Sequence, residues 1–169
     1  MIFKDYICRT MKKTKYLLLF ICLAIGLAAC KKNLGIENFD VEGQFKKDTT
    51  AIRAFALANN IPIQKDPKYN IFYQILAQGS GAEVNGLSTI SVIYSGRLLD
   101  GTIFDSTTAP ATFPLSNVIT GWQAGIPLIR KGGKIRLLLP SFYGYGNQAY
   151  SKIPANSVLD FTVELSDVK

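Results

Sequence analysis

The chain has 169 residues, 48 % of them apolar with eight Tyr and ten Phe, which suits one domain with a real core plus a short extension and excludes a disordered chain. The formal charge is +7, but residues 1–29 hold five Lys/Arg and one Asp; beyond them 14 basic and 11 acidic residues leave an ordinary surface, with no clustered basic face for nucleic acid. There is no histidine, which excludes Ser-His-Asp and Cys-His pairs and His-ligated metals; acid–base chemistry near neutral pH would fall to a carboxylate, Lys or Tyr.

The N-terminal segment reads as a signal peptide over residues 1–29. From Met11, the better candidate for the true start, the chain runs "MKKTKYLLLFICLAIGLAAC". Lys12, Lys13 and Lys15 form the basic region, and Tyr16 to Leu27 an apolar run shorter than the roughly 20 residues of a spanning helix. Small residues then precede Cys30. The "LAAC" ending resembles the bacterial lipobox, which implies a diacylated Cys30 as the new N-terminus, a membrane anchor, and a place in the bacterial cell envelope at the outer membrane. Cys8, Cys22 and Cys30 all fall within the first 30 residues, so no disulfide staples the rest of the chain.

Residues 31–47 are polar and aperiodic and read as a tether. "DTTAIRAFALANN" predicts a short helix over 48–60, with Asp48 as N-cap and Ile52, Phe55 and Ala56 on one face. Pro62 and Pro67 mark a loop. The body, 61–169, then turns to β patterns. "NIFYQIL" and "STISVIYSGRLL" read as strands, Asp100-Gly101 as a hairpin turn, and "TIFDS" as the returning strand. Residues 107–117, with Pro110 and Pro114, read as a loop. A short helix follows, with Thr120 as N-cap and Trp122, Ile126 and Ile129 on one face; Pro127 would break it early. "KIRLLLP" puts Ile135, Leu137 and Leu139 on one side of a strand. Residues 141–157 form a long Gly- and Tyr-rich loop. "VLDFTVELSDV" aligns Leu159, Phe161, Val163 and Leu165. The charges of Arg130, Lys131, Lys134 and Arg136 read as a solvated face. Strands, one short internal helix and long loops predict an α+β domain with an antiparallel sheet packed on a helix.

Three ordered segments carry a resemblance. "VIYSGRLLDGTIFDS", "VITGWQAGIPLIRKGGKIRLLLP" and "YGYGNQAYSKIPANSVLDFTVEL" resemble the central hairpin, the helix with its following strand, and the last loop and strand of FKBP-type peptidyl-prolyl cis-trans isomerases. The likeness covers residues 70–169 and is densest over 87–169. It implies a five-stranded antiparallel sheet wrapped around a short helix. An aromatic cleft between them would bind a prolyl residue. The resemblance implies Tyr94, Phe104, Asp105, Trp122 and Tyr145 as catalytic residues. It implies Val118, Ile119, Ile153 and Phe161 as substrate-binding, with the Ile119 N–H meeting a substrate carbonyl and Trp122 as the floor. It also implies no cofactor and no metal, proline-containing polypeptides as partners, and help with the folding of exported proteins. The short predicted helix suits a monomer.

The chain departs from the family pattern at the rim. The loop after Asp105 reads "STTAPATFPL", with Ala111 where many members have an aromatic and Phe113 slightly later. The family's loop arginine is missing, and Gly146 to Pro154 is one residue short and lacks histidine. Taken singly, Tyr94, Phe104 and Phe161 read better as core aromatics, and the bland role of Asp105 is a cap on the turn into "STT". The competing functional reading is a non-catalytic FKBP-like peptide-binding or chaperone module anchored to the membrane.

Overall fold

The computed structural model describes residues 39–169, so Cys30 and the signal-like segment lie outside the described residues. The first element is an α-helix, α1, Val41–Ala58. It is longer than the sequence pattern predicts because its cap is Asp40. The Asp40 side chain accepts the Gly43 N–H at 2.8 Å, and Glu42 in the first turn suits the positive end of the helix. Asn60, in the left-handed region at φ 54, and Pro62 behind it stop the helix. Residues 41–47 are therefore helical rather than tether. Asp48 is not a cap but part of the inward row Phe45, Asp48, Ile52, Ala56, and it is 3 % exposed.

Seven strand segments follow. They are β1 (Gln64–Lys65), β2 (Phe72–Ala77), β3 (Thr89–Leu98), β4 (Ile103–Ser106), β5 (Ala111–Pro114), β6 (Lys134–Leu139) and β7 (Leu159–Val168). All pair antiparallel, in the order β1-β2-β6-β7-β3-β4. β5 also lies on β3. It pairs residues 89–92, whereas β4 pairs residues 95–97. β4 and β5 are thus one edge strand interrupted at 107–110, so five strand positions carry the sheet, with the two-residue β1 beside them. β5 falls where the prolines predicted loop. An edge strand tolerates them, because its outward N–H groups need no partner.

Between β5 and β6 lies α2, Thr120–Gly125, which tightens into a 3-10 turn at Ile126–Leu128 around Pro127. Its N-cap position is Ile119 rather than Thr120. The Ile119 carbonyl accepts from Trp122 and Gln123 N–H, and no side chain caps the end. Gly121 and Gly125 face the sheet. A Cβ at either would collide with Leu139 or Leu137, so glycine is what lets α2 lie this close.

The main core fills the space between α2 and the sheet. It includes Ile135, Leu137, Leu139, Leu159, Val163 and Leu165, none measurably exposed. Leu138 points the other way. With Phe72 and Val158 it packs against Ile52 of α1, so helices cover both sheet faces. Each such side chain stabilises the fold by about 1.5–3 kcal/mol relative to exposure. Beside that second core Arg136 grips Asp160 through two hydrogen bonds of 2.8 and 2.6 Å and lies over the Phe55 ring. Arg136 is therefore not a freely solvated charge. Arg130 and Lys131 are exposed and Lys134 is half-buried, and they pair with Glu83, Asp167 and Glu164.

Candidate active site

One cleft of about 310 Å³ opens where β3, β4, β5 and β7 meet α2 and the 141–157 loop. Tyr94, Phe104, Asp105, Phe113, Asn117, Val118, Ile119, Trp122, Tyr145 and Phe161 line it. The sheet register assembles one wall. Gly96 of β3 lies between Phe161 of β7 and Asp105 of β4. A Cβ on Gly96 would come within 2.6 Å of both the Phe104 and Phe161 rings, so this glycine admits the two rings side by side.

Trp122 is 4 % exposed and forms the base. Its indole stands nearly perpendicular to the rings of Tyr94 at 5.1 Å, Phe161 at 5.3 Å and Phe113 at 6.5 Å between ring centres. Such edge-to-face pairs add about 0.5–1.5 kcal/mol each beyond area burial. The indole position depends on α2 lying against Leu139 at Gly121, one residue before the tryptophan. The indole N–H, although buried, has no partner among the described residues.

The polar groups are few. The Tyr94 hydroxyl donates to Asp105 Oδ2 at 2.7 Å. Burial, then this bond and the carboxylate charge, push the Tyr94 pKa up to about 12. Tyr145 is also raised, first by burial and then by Tyr150 and Asp105. The Ile119 N–H donates to no backbone acceptor among the described residues. The cleft thus offers an apolar, ring-lined seat for a small hydrophobic group, with one carboxylate, two phenols, the Asn117 carboxamide and a backbone donor at its margins. Among the described residues, no three His, Cys, Asp or Glu side chains gather where they could hold a metal ion.

Of the residues singled out from sequence, Tyr94, Phe104, Asp105, Val118, Ile119, Trp122, Tyr145 and Phe161 come together here. Ile153 does not line the cleft; it is 4 % exposed and belongs to the main core. Its N–H and carbonyl instead pair with those of Tyr150. Tyr150 stacks on Tyr145, with ring centres 4.7 Å apart and planes 8° from parallel. Phe113, which the sequence offers only as a displaced counterpart of the family's rim aromatic, lines the cleft, and Asn117 lines it without any sequence signal; Gly96 and Tyr150 support it from behind. The alternation of Ala111 and Phe113 is the signal of strand there, and the two neighbouring prolines mask it.

The sequence profile described as FKBP-type peptidyl-prolyl cis-trans isomerase matches residues 81–166. The chain is 45 % identical over 103 residues to the FKBP-type peptidyl-prolyl cis-trans isomerase FkpA of Buchnera aphidicola, covering 59 % of this chain and 41 % of that one. Among solved structures it resembles FkpA from Escherichia coli, with TM-score 0.67 and 31 % identity over 94 % of this chain and 72 % of that one. It also resembles a peptidyl-prolyl cis-trans isomerase from Pseudomonas syringae pv. tomato, with TM-score 0.64 and 31 % identity over 73 % of this chain and 95 % of that one. The chain spans about two-fifths of the length of the FkpA proteins it matches.

Proposed function

This chain belongs to the FKBP-type peptidyl-prolyl cis-trans isomerases, and from that premise we propose that it accelerates rotation about X–Pro bonds in polypeptides. The observation that carries the reading is the aromatic cleft over Trp122 with the Tyr94–Asp105 hydrogen bond at its edge.

The chemistry asks for little. Amide rotation meets a barrier of about 18–20 kcal/mol, because resonance holds the bond planar. X–Pro bonds populate both isomers and exchange over tens of seconds or more. No bond forms or breaks, so a catalyst has only to hold the twisted amide more tightly than the planar one. In our reading the prolyl ring rests on Trp122 between Phe104, Phe113 and Phe161, away from water. The planar amide, more polar than the twisted one, loses solvation there. The Ile119 N–H holds a substrate carbonyl, and Val118 packs beside it. The Tyr145 hydroxyl steadies the chain at the opposite side. The Asp105 carboxylate, held by Tyr94, acts on the charge redistribution of the twisting amide rather than as a proton acceptor. Each ~1.4 kcal/mol of preference for the twisted form gives a factor of ten in rate.

We further place the protein in the bacterial cell envelope, anchored at the outer membrane through a lipidated Cys30 and acting as a monomer on exported, proline-containing polypeptides. The motif at residues 27–30 supports the anchor. Among the described residues no helix is long and apolar enough to cross a membrane. The deciding experiment is an isomerisation assay of the full chain on a proline-containing peptide. A rate above the spontaneous one, abolished by Gly96→Leu, whose side chain would push the Phe104 and Phe161 rings out of place, is the expected result. Saturable peptide binding with no rate gain would replace this reading with that of a non-catalytic peptide-binding module.

A further inference from the structure

Tyr145 reaches the cleft from a loop, and loops hold side chains less well than strands do. Here the loop is fixed at one residue. Ser141 opens a 3-10 turn, Ser141–Tyr143. Its carbonyl accepts the N–H of Gly144 at 2.9 Å and of Gly146 at 2.8 Å, the two residues that flank Tyr145. The other side of Ser141 is held from α1, 93 positions away in sequence. Asp48 Oδ2 accepts the Ser141 N–H at 2.8 Å and the Ser141 hydroxyl at 2.6 Å. Gln44 Nε2 donates to Asp48 Oδ1 at 2.6 Å. One turn earlier on α1, Phe45 meets the Tyr143 ring edge-on at 6.2 Å.

Asp48 is 3 % exposed and Ser141 2 %. A buried carboxylate is tolerated only where donors satisfy it, and well-packed apolar residues would stabilise such an interface at least as well. Its presence asks for a role other than packing. We infer that Asp48 is a positioning residue for Tyr145: it fixes Ser141, and Ser141 fixes both neighbours of the cleft tyrosine. For its catalytic meaning this rests on the isomerase reading. It makes α1 a working part of the site, attached through a residue that lines no part of the cleft.

The test uses the full chain in detergent micelles. Asp48→Ala should speed hydrogen exchange at the Gly144 and Gly146 amides tenfold or more and lower kcat/KM about tenfold. In a Tyr145→Ala background the same change should cost no more than about twofold, since the residue it serves is gone. Asp48→Asn should restore most of the activity, because its amide oxygen still accepts from both Ser141 donors. Ser141→Ala removes one donor and should give a smaller loss in the same direction; it carries the test if Asp48→Ala fails to fold. An equal loss with and without Tyr145, or unchanged exchange at Gly144 and Gly146, would overturn the inference. A wild-type chain without isomerase activity would sink the isomerase reading, and the exchange rates would then decide the clamp by themselves.

Discussion

Tyr94 and Asp105 are joined across the β3–β4 hairpin by a 2.7 Å hydrogen bond, the only one between side chains that line the cleft, among the described residues. Burial, then the bond to Asp105, raise the Tyr94 pKa to about 12. A tyrosine titrating near that value should be visible by absorbance and vanish in Tyr94→Phe. In Asp105→Ala it should move down but stay above the ordinary value, because burial is the larger cause. The folded-state value lies above the unfolded one of about 10. The contribution to stability is therefore complete below pH 10 and is lost as pH rises from about 10 through 12. Tyr94→Phe should flatten that part of the alkaline unfolding curve.

The same pair separates catalysis from binding. Trp122 is the chain's sole tryptophan, so its emission reports the cleft without labelling. A proline-containing peptide should change that emission saturably. Asp105→Ala, at an exposed position, should spare the fold. It should lower kcat/KM by about tenfold or more, as the loss of a hydrogen-bonded charge worth about 1.5–3 kcal/mol implies. Peptide affinity read at Trp122 should fall much less. Equal losses in both would mean that Asp105 only shapes the cleft.

Gly121→Ala and Gly125→Ala should each destabilise by about 1–3 kcal/mol through overpacking against Leu139 and Leu137. That corresponds to a fall in Tm of roughly 3–10 °C. Gly86→Ala, where an added Cβ meets nothing within 4 Å, is the control and should stay within about 0.5 kcal/mol of wild type. Gly121→Ala should also alter Trp122 emission, because it lifts the indole off the sheet. Unchanged melting and emission would show that α2 has room the packing denies.

Cys30→Ser should move the protein out of the membrane fraction or leave an unprocessed precursor. Two acyl chains give stable attachment where one gives only marginal binding. Mass spectrometry of wild type should find lipid on Cys30. A variant processed and fractionated like wild type, with no lipid on the parent, would dispose of the anchor.

Strands and turns were legible where local chemistry decides them. Ile135, Leu137 and Leu139 alternate and are buried, as are Leu159, Phe161, Val163 and Leu165. Gly101, at φ 90, supplies the hairpin turn that Asp100-Gly101 signals. The misses depend on distant partners. The inward row of α1 contains an aspartate, which reads as a cap until Ser141 is found beside it. β5 is bounded by prolines, which read as loop until its edge position is known. Ile153 falls in a shortened loop, where spacing alone does not set which side chains face the cleft. The stacking of Tyr150 on Tyr145 depends on the Tyr150–Ile153 pairing within that loop. The aromatics of the cleft were suggested by resemblance to a family, since single aromatics in strands look like core.

The packing of Ile52 against Phe72, Leu138 and Val158 sets the smallest piece that can be moved elsewhere. A chain trimmed to start at residue 61 would keep every cleft-lining side chain yet bare an oily strip on the reverse of its sheet. It would be sticky at working concentrations. Grafting this unit onto another scaffold should therefore take the cut upstream of Asp40.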